Sequence, residues 1–254
     1  MRQIRARIRV AKNIQQITKA MKMVAAARLK RAQDRVQSAR PYAEQMRNVM
    51  GSLSRAGGDV SHPLLEEREP VKVGIVAITA DRGLCGSYAA NILKKVAEVL
   101  RTAGPDGTAL DPENVRVIAV GRKGQNFFRR RPYPVVGEYT MNMTGASFAE
   151  AQEIARHAQK LYTDGDVDVI YLVYTKFLSA LTQKPTAVQV LPIVTEESES
   201  TGGGDDYIFE PDAATLLGEM LPRSVDTLVY QALLESIASE HGARMTAMSS
   251  ATDN

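Results

Sequence analysis

The chain has 254 residues, of which 44% are hydrophobic and 24% charged, a composition typical of a globular protein with a sizeable core. Its single cysteine, Cys85, excludes an intramolecular disulfide and a cysteine metal site, and its three histidines are too scattered to predict a metal cluster. The net charge of +3 conceals a division, because positions 1–55 hold fourteen Lys or Arg and two acidic residues, a net +12, which leaves −9 for the remainder. Such a division indicates a segment with a partner of its own.

The first predicted element is one long helix over positions 2–55. This segment has no glycine before Gly51 and no proline before Pro41, and it is dominated by Ala, Lys, Arg, Gln and Met, which favour helix. A kink is expected at Pro41. At ~1.5 Å per residue the helix would be about 80 Å long, far more than a small domain needs.

Small and apolar residues recur every seven positions along this helix, which predicts a coiled coil. The row consists of Ala11, Thr18, Ala25, Ala32, Ala39, Met46 and Leu53. The interleaved positions are assigned to Ile14, Met21, Tyr42 and Val49. Arg28 and Arg35 interrupt this second row. The small side chains of the first row would let a second helix approach closely.

After a connector at 56–70, rich in turn residues, strands alternate with helices over 71–221. Strands are predicted at 71–79, 115–120, 167–174 and 186–194, and helices at 88–102, 122–131 and 147–163. Ser147 is the expected N-cap of the third helix, with Glu150 completing a capping box. Strands alternating with helices predict an inserted α/β domain with a mostly parallel, Rossmann-like sheet. Positions 196–206 form an acidic loop rich in Ser and Gly.

A last helix is predicted over 222–254. Small residues recur along it at a spacing of three or four, namely Ala232, Ser236, Ser239, Ala243, Thr246 and Ser250. This stripe complements the alanine row, so the two terminal helices are predicted to form a long antiparallel coiled coil. The last helix is the shorter one, and position 254 would lie opposite about position 21. The first turns of the first helix would then have no partner in this chain. Either they bind another protein, or the chain has lost a C-terminal piece that would pair with them.

The segment 81–87, DRGLCGS, follows the first strand, where α/β proteins bind phosphates. A small-ligand enzyme using this loop is therefore one hypothesis. It has neither glycine pattern of the nucleotide-binding motifs, so the favoured interpretation is a glycine-rich turn capped by Asp81 and Ser87. Cys85 has no base near it in sequence and is interpreted as a buried thiol, and His241 as a solvated helix residue. No set of residues predicts catalysis, a cofactor or a metal.

The basic helix is compatible with two kinds of partner. Its Lys and Arg could contact nucleic acid phosphates. However, they surround an apolar seam, and the helix has one aromatic residue, Tyr42, so it offers no stacking surface. An acidic protein surface is favoured, and nucleic acid remains the alternative. Uncharged stretches are too short for the ~20 residues of a membrane span, and the N-terminus lacks the apolar segment of a secretory signal.

Five motifs resemble the γ-subunit family of F-type ATP synthases, and the resemblance covers essentially the whole chain. They are IQQITKAMKMVAAARLKRAQ at 14–33, RPYAEQMRNV at 40–49, DRGLCG at 81–86, FEPD at 209–212 and YQALLESIASEHGARMTAMSSATDN at 230–254. The resemblance implies a central rotor stalk that couples proton-driven ring rotation to conformational change at the β catalytic sites. It implies a subunit that is not itself an enzyme and that has no catalytic residue, cofactor or metal.

The resemblance also implies partners and contact residues. The partners would be the α3β3 hexamer, the ε subunit and the c-ring of Fo. It implies no nucleic acid, and a peripheral place on the cytoplasmic face of the bacterial cell membrane, reached only through Fo. The β-subunit contacts would be Met21, Lys22, Glu240 and Arg244. The rotor-ring contacts would be Tyr207 and Glu210.

This sequence departs from the family pattern in two places. Gly242 stands where a helix former is usual, at a cost of ~1 kcal/mol relative to alanine. The family chain usually continues as helix beyond the ATDN motif, which agrees with the shorter last helix. In addition, Cys85 alone cannot form the thiol switch of the chloroplast relatives.

Overall fold

A computed structural model describes residues 2–56, 61–104, 107–142, 145–194 and 212–253. Within these residues the helices and strands follow in the order α1 (Arg2–Ala56), β1 (Val73–Ile78), α2 (Tyr88–Thr102), β2 (Val115–Val120), α3 (Arg122–Phe128), β3 (Val135–Tyr139), α4 (Phe148–Thr163), β4 (Val169–Phe177), β5 (Gln183–Leu191) and α5 (Ala213–Asp253). None of the described helices is both long enough and apolar enough to cross a membrane.

The two terminal helices, α1 and α5, pair as an antiparallel hairpin. Thr252 Oγ1 donates to Thr18 Oγ1 at 2.7 Å, and Lys22 Nζ donates to Ser249 Oγ at 2.9 Å, so the end of α5 meets α1 at Thr18 and Lys22. Gln15 Nε2 reaches the carbonyl oxygen of Thr252 at 3.3 Å. The end of α5 therefore lies a few residues nearer the N-terminus of α1 than the predicted position 21.

The last helix begins at Ala213 rather than at the predicted position 222. Proline favours the first turn of a helix, which is why the prediction started there. In the structure Pro222 lies inside α5, and its carbonyl oxygen accepts a hydrogen bond from Gln159 Nε2 at 3.1 Å. Tertiary contact thus stabilises the helix on both sides of a residue that usually marks its start. α1 likewise continues as helix through Pro41.

The first heptad row is confirmed from Thr18 to Leu53, but the assignment of the second row was wrong. The buried interleaved residues are Leu29, Val36, Ala43 and Met50, each four positions after a member of the first row. Tyr42 is 58% exposed and Ile14 51% exposed. The assigned row also contains Arg28 and Arg35, whose charges cannot be buried in an apolar seam without a partner. Those arginines lie beside the seam and are exposed.

Leu29→Ala is expected to destabilise the hairpin by about 2–4 kcal/mol, because it removes a buried side chain and leaves a cavity. Tyr42→Ala, the matched control on the same helix, should change the free energy of unfolding by less than about 0.5 kcal/mol, as exposed substitutions do. Urea unfolding of both variants measures the difference. Equal losses would contradict the seam described here.

The sheet has the strand order β3-β2-β1-β4-β5. The pairs β1–β2, β1–β4 and β2–β3 are parallel, and β4–β5 is antiparallel, which confirms the predicted mostly parallel α/β fold. The strand β3 was not predicted, because it is a short edge strand with alternating half-buried and exposed residues. The predicted capping box of Ser147 and Glu150 is present at the start of α4.

Alternate residues of β1 belong to two separate apolar clusters. Val76 and Ile78 join the cluster formed with α1, α4 and α5, whereas Ile75 and Ala77 pack in the cluster that contains α2. This follows from the two-residue period of a strand. The hairpin therefore packs on one face of the sheet, and the first part of α1 extends beyond it.

Candidate functional site

The loop after β1 connects neighbouring elements of the α/β domain through hydrogen bonds of Asp81. Asp81 Oδ1 accepts a hydrogen bond from the backbone N–H of Arg122 at 2.9 Å, and Asp81 Oδ2 accepts one from the backbone N–H of Met141 at 3.2 Å. Asp81 thus ties the end of β1 to α3 and to the segment after β3. Ser87 precedes α2 but makes no side-chain cap, so the prediction that Ser87 caps this turn was wrong. Its hydroxyl instead accepts from Asn91 Nδ2 at 3.1 Å.

Cys85 is a buried thiol, as the sequence analysis interpreted it. The residue is 4% exposed, and its Sγ lies 3.8 Å from the carbonyl oxygen of Arg82. Burial raises the pKa of the Cys85 thiol, and the nearby Glu240 carboxylate raises it further. A thiol held in its protonated form is a poor nucleophile. Within the described residues no group of three or more His, Cys, Asp or Glu could hold a metal ion.

Glu240 and Arg244 form a buried ion pair where α5 meets this loop. Arg244 Nη2 lies 2.5 Å from Glu240 Oε1, and it also donates to the carbonyl oxygen of Gly83 at 3.3 Å. Glu240 is fully buried, and the Arg244 side chain is 12% exposed. The pair therefore holds the loop after β1 against α5. Burial raises the pKa of Glu240, although the Arg244 guanidinium acts in the opposite direction.

The glycine at 242, which the sequence analysis marked as unusual in a helix, has a packing reason. A Cβ atom at Gly242 would lie 3.0 Å from the carbonyl oxygen of Ala180 and 3.2 Å from Gln183 Nε2. Ala180 lies in the turn between β4 and β5, and Gln183 is the first residue of β5. The absence of a side chain lets this turn pack directly on α5, next to the Glu240–Arg244 pair. His241 is 1% exposed, so its interpretation as a solvated residue was wrong.

Glu240→Gln is expected to make the stability of the chain less dependent on pH. Because burial raises the pKa of Glu240, its ionisation favours the unfolded chain, and stability is lost as the pH rises above about 4.5 through the raised pKa. Glutamine cannot ionise, so relative to wild type the variant should gain stability across that interval. Urea unfolding between pH 4 and 8 measures the two profiles. The exposed Glu219→Gln on the same helix is the control, and parallel profiles for wild type and Glu240→Gln would contradict this expectation.

The two other predicted β contacts lie on α1. Met21 and Lys22 are half-buried, and the Lys22 ammonium is bonded to Ser249 of α5. Met21 belongs to a line of apolar residues spaced by three and four, which we call the outer stripe. The outer stripe consists of Val10, Ile14, Ile17, Met21 and Val24.

The outer stripe faces away from α5. At ~100° per residue it lies about a quarter turn around α1 from the seam. Val24 is 52% exposed although its neighbour Ala25, in the seam, is 2% exposed. Ile17 is 59% exposed beside Thr18, which contacts α5. Even where both helices run together, therefore, Ile17 and Val24 of the outer stripe remain exposed and Met21 is only half-buried.

Basic residues flank the outer stripe. Every residue from 2 to 17 is exposed. This stretch carries Arg2, Arg5, Arg7, Arg9 and Lys12. Exposed apolar residues with a rim of charge mark interaction surfaces rather than ordinary solvent-facing helix. This surface was not predicted as a unit, although the spacing of its apolar residues by three and four, offset from the heptad row, is a signal in the sequence.

The predicted rotor-ring contacts, Tyr207 and Glu210, lie outside the described residues, as does the acidic loop at 196–206. The structure brings Glu240 and Arg244 together with the loop after β1. Met21 and Lys22 lie on α1, where Lys22 contacts the end of α5. Of the four predicted β contacts, Glu240 and Arg244 thus form a buried pair, Met21 lies in the outer stripe, and Lys22 lies against α5.

Comparison with known proteins gives matches that cover the whole of this chain. A family model described as ATP synthase matches residues 1–254. The ATP synthase gamma chains of Heliobacterium modesticaldum and Desulforamulus reducens are 49% and 46% identical over 100% of this chain, covering 87% and 86% of their own lengths.

Two solved structures share the fold. A chain of the Tetrahymena thermophila mitochondrial ATP synthase, in a structure of its central stalk and c-ring, has a TM-score of 0.67 at 26% identity and covers 92% of this chain and 99% of its own. A chain of the Euglena gracilis mitochondrial ATP synthase rotor has a TM-score of 0.69 at 22% identity, over 100% of this chain and 91% of its own.

Proposed function

The chain belongs to the family of ATP synthase gamma chains, and from that membership we propose how its surface is divided among partners. The resemblance found in the sequence motifs is thereby confirmed. Its role is that of the central stalk of ATP synthase, as a non-catalytic subunit. The finer proposal is that the α1–α5 hairpin transmits rotation of a membrane ring to the catalytic β sites of an α3β3 hexamer.

The observation that carries this proposal is the outer stripe. It is an apolar line on a basic helix, and its members Ile17 and Val24 stay exposed even where the two helices are paired. A hexamer surface with apolar residues and acidic loops would match both features. Met21 belongs to the outer stripe, and Lys22 lies next to it with its ammonium bonded to Ser249 of α5. These two residues are the proposed direct contacts with β. Methionine, unbranched and polarizable, suits a surface that meets successive partners.

Glu240 and Arg244 are proposed to act together at the same level of the shaft. Because Glu240 is fully buried, its proposed role is to position the Arg244 guanidinium, which retains 12% exposure. Arg244 is then the residue of the pair that meets a β carboxylate. In this arrangement the loop after β1 lies beside the contact, because Arg244 also donates to the carbonyl oxygen of Gly83. A shift of Arg244 on binding β would therefore move this loop and the end of β1.

The remaining partners are proposed from the motif resemblance alone. The region of Tyr207 and Glu210 is proposed to meet the polar loops of the c-ring, and the α/β domain to lie beside the ε subunit. The chain would be peripheral on the cytoplasmic face of the bacterial cell membrane, held there through Fo. The proposal includes no nucleic acid partner.

A double substitution tests the outer stripe. Ile14→Gln combined with Ile17→Gln keeps the helix and its charge but removes two exposed apolar side chains, each worth about 1–2 kcal/mol in a contact. The complex rebuilt with α3β3 should then dissociate at least about tenfold more readily, with a matching loss of ATP-driven rotation. Binding and single-molecule rotation are the measurements.

The control is Val136→Gln on the edge strand β3, which exposes a similar side chain far along the chain from the hairpin. It should leave both measurements unchanged. Wild-type binding and rotation in the Ile14→Gln, Ile17→Gln variant would contradict the proposal. So would retention of the wild-type chain on duplex DNA, in preference to α3β3, at moderate salt.

A further inference from the structure

Arg28 and Arg35, the residues that interrupt the apolar row of α1, line a cavity of about 130 Å³. It is open to solvent on one side, where Arg28, Arg31 and Arg35 are exposed, and it is lined by α1, by α5 and by Gly145 before α4. The lining residues are Arg28, Arg31, Ala32, Arg35, Gly145, Leu234, Ile237 and His241. The cavity therefore lies at a junction between the helical hairpin and the α/β domain.

The charged side chains that line this cavity are all basic. Arg28, Arg31 and Arg35 follow one another at spacings of three and four, so their side chains share one face of α1. None of the described residues that line the cavity is acidic. In the described part of the chain neither Arg28 nor Arg31 forms an ion pair. The opposite wall contains the buried imidazole of His241, which is 1% exposed.

The guanidinium of Arg35 lies against the backbone of Gly145. A Cβ atom built on Gly145 would lie 1.3 Å from Arg35 Nη1 and 2.5 Å from Arg35 Cζ. The guanidinium thus packs against bare backbone, in space that any other residue would fill. Gly145 also has a φ of +143°, which other residues rarely adopt. The guanidinium of Arg35, an exposed residue, therefore occupies space that only a glycine at 145 leaves available.

We propose that this cavity binds a small tetrahedral oxyanion, with inorganic phosphate as the representative ligand. Guanidinium groups present paired N–H donors that match phosphate oxygens. At about 130 Å³ the cavity is much smaller than the ~300–1,000 Å³ typical of sites for nucleotide-sized molecules. A bound oxyanion would join α1 to α5 and to the segment before α4. It would thereby stiffen the connection between the hairpin and the α/β domain.

Calorimetric titration of the full chain with inorganic phosphate, at constant ionic strength set with chloride, tests the proposal. We expect saturable binding that chloride does not reproduce. Arg28→Gln combined with Arg31→Gln should weaken it at least tenfold. Arg40→Gln, which removes an exposed charge from the same helix outside the cavity, should leave it unchanged.

A second variant tests the contact between Arg35 and Gly145 without removing a charge. Gly145→Ala should displace Arg35 and weaken phosphate binding at least threefold, while circular dichroism shows the helix content of wild type. Absence of saturable binding to the wild-type chain would overturn the proposal. Equal weakening by the cavity variant and by Arg40→Gln would overturn it too, since the binding would then follow net charge. Arginine-dependent binding of a polyglutamate peptide without phosphate binding would replace the oxyanion with a protein carboxylate and also overturn it.

Discussion

Replacing Arg244 with alanine is expected to lower the free energy of unfolding by about 3–5 kcal/mol at pH 8. The substitution leaves the fully buried Glu240 carboxylate without its cation, and the loop at Gly83 loses a hydrogen bond. The same change should weaken the complex with α3β3, because the loop after β1 is no longer held against α5. Urea unfolding and binding to the hexamer measure the two effects.

The loss caused by Arg244→Ala should depend on pH in a defined direction. The guanidinium lowers the pKa of Glu240, so without it burial raises that pKa further. As the pH falls towards 4.5, the carboxyl takes up a proton and the cost of an unpaired charge disappears. The destabilisation should therefore shrink steadily with acidification.

Two further variants control this experiment. The exposed Arg223→Ala on the same helix removes an equal charge and should cost less than about 0.5 kcal/mol. Adding Glu240→Gln to Arg244→Ala should recover about half of the lost stability or more, because the uncompensated charge is gone. If the double variant were as unstable as the single one at pH 8, the loss would come from packing, and the role assigned to the ion pair would be wrong.

Gly121→Ala is expected to destabilise the sheet by about 3–5 kcal/mol, by steric overlap combined with a left-handed backbone. Gly121 has a φ of +92°, and its Cβ would lie 2.5 Å from the carbonyl oxygen of Thr79. That strand end cannot retreat easily, since Thr79 donates from its backbone to Val120 at 2.8 Å and Gly121 donates to Tyr139 at 2.8 Å. Three adjacent strands thus meet at one glycine.

Gly165→Ala is the matched control for this prediction. Gly165 also has a positive φ, +77°, but nothing lies within 4 Å of its Cβ position. Alanine there should cost only the backbone strain, about 1–2 kcal/mol. Guanidinium unfolding of both variants separates overlap from strain. Similar losses at the two positions would show that the close approach to Thr79 is relieved by a small backbone shift.

Local signals in the sequence were sufficient for most of the elements. The 55-residue helix α1 follows from a run of helix-forming residues without glycine or early proline. The buried strands β1 and β2 follow from their unbroken apolar runs, and the start of α4 from its capping box. The edge strand β3 was missed because its half-exposed residues carry no such run. Helix propensity, strand pattern and capping each depend on a few neighbouring residues, so they can be read along the chain.

Which side of each terminal helix is buried depends on the tertiary structure. The heptad row at Thr18, Ala25 and Ala32 defines one line of a seam, but either neighbouring line could complete it. Only the position of α5 selects Leu29 and leaves the line of Met21 outside. For the same reason Arg244 could not be assigned from sequence to the buried pair, nor His241 to the interior.

The family, the long basic helix and the alternation of strands with helices all follow from the order of residues along the chain. The tertiary structure decided which residues face one another: the inward pair Glu240–Arg244, the open outer stripe and the arginine cavity closed by Gly145. The physical reason is that periodicity along one helix specifies spacing but not direction. Direction is set by the element that packs against it, and that element is distant in sequence.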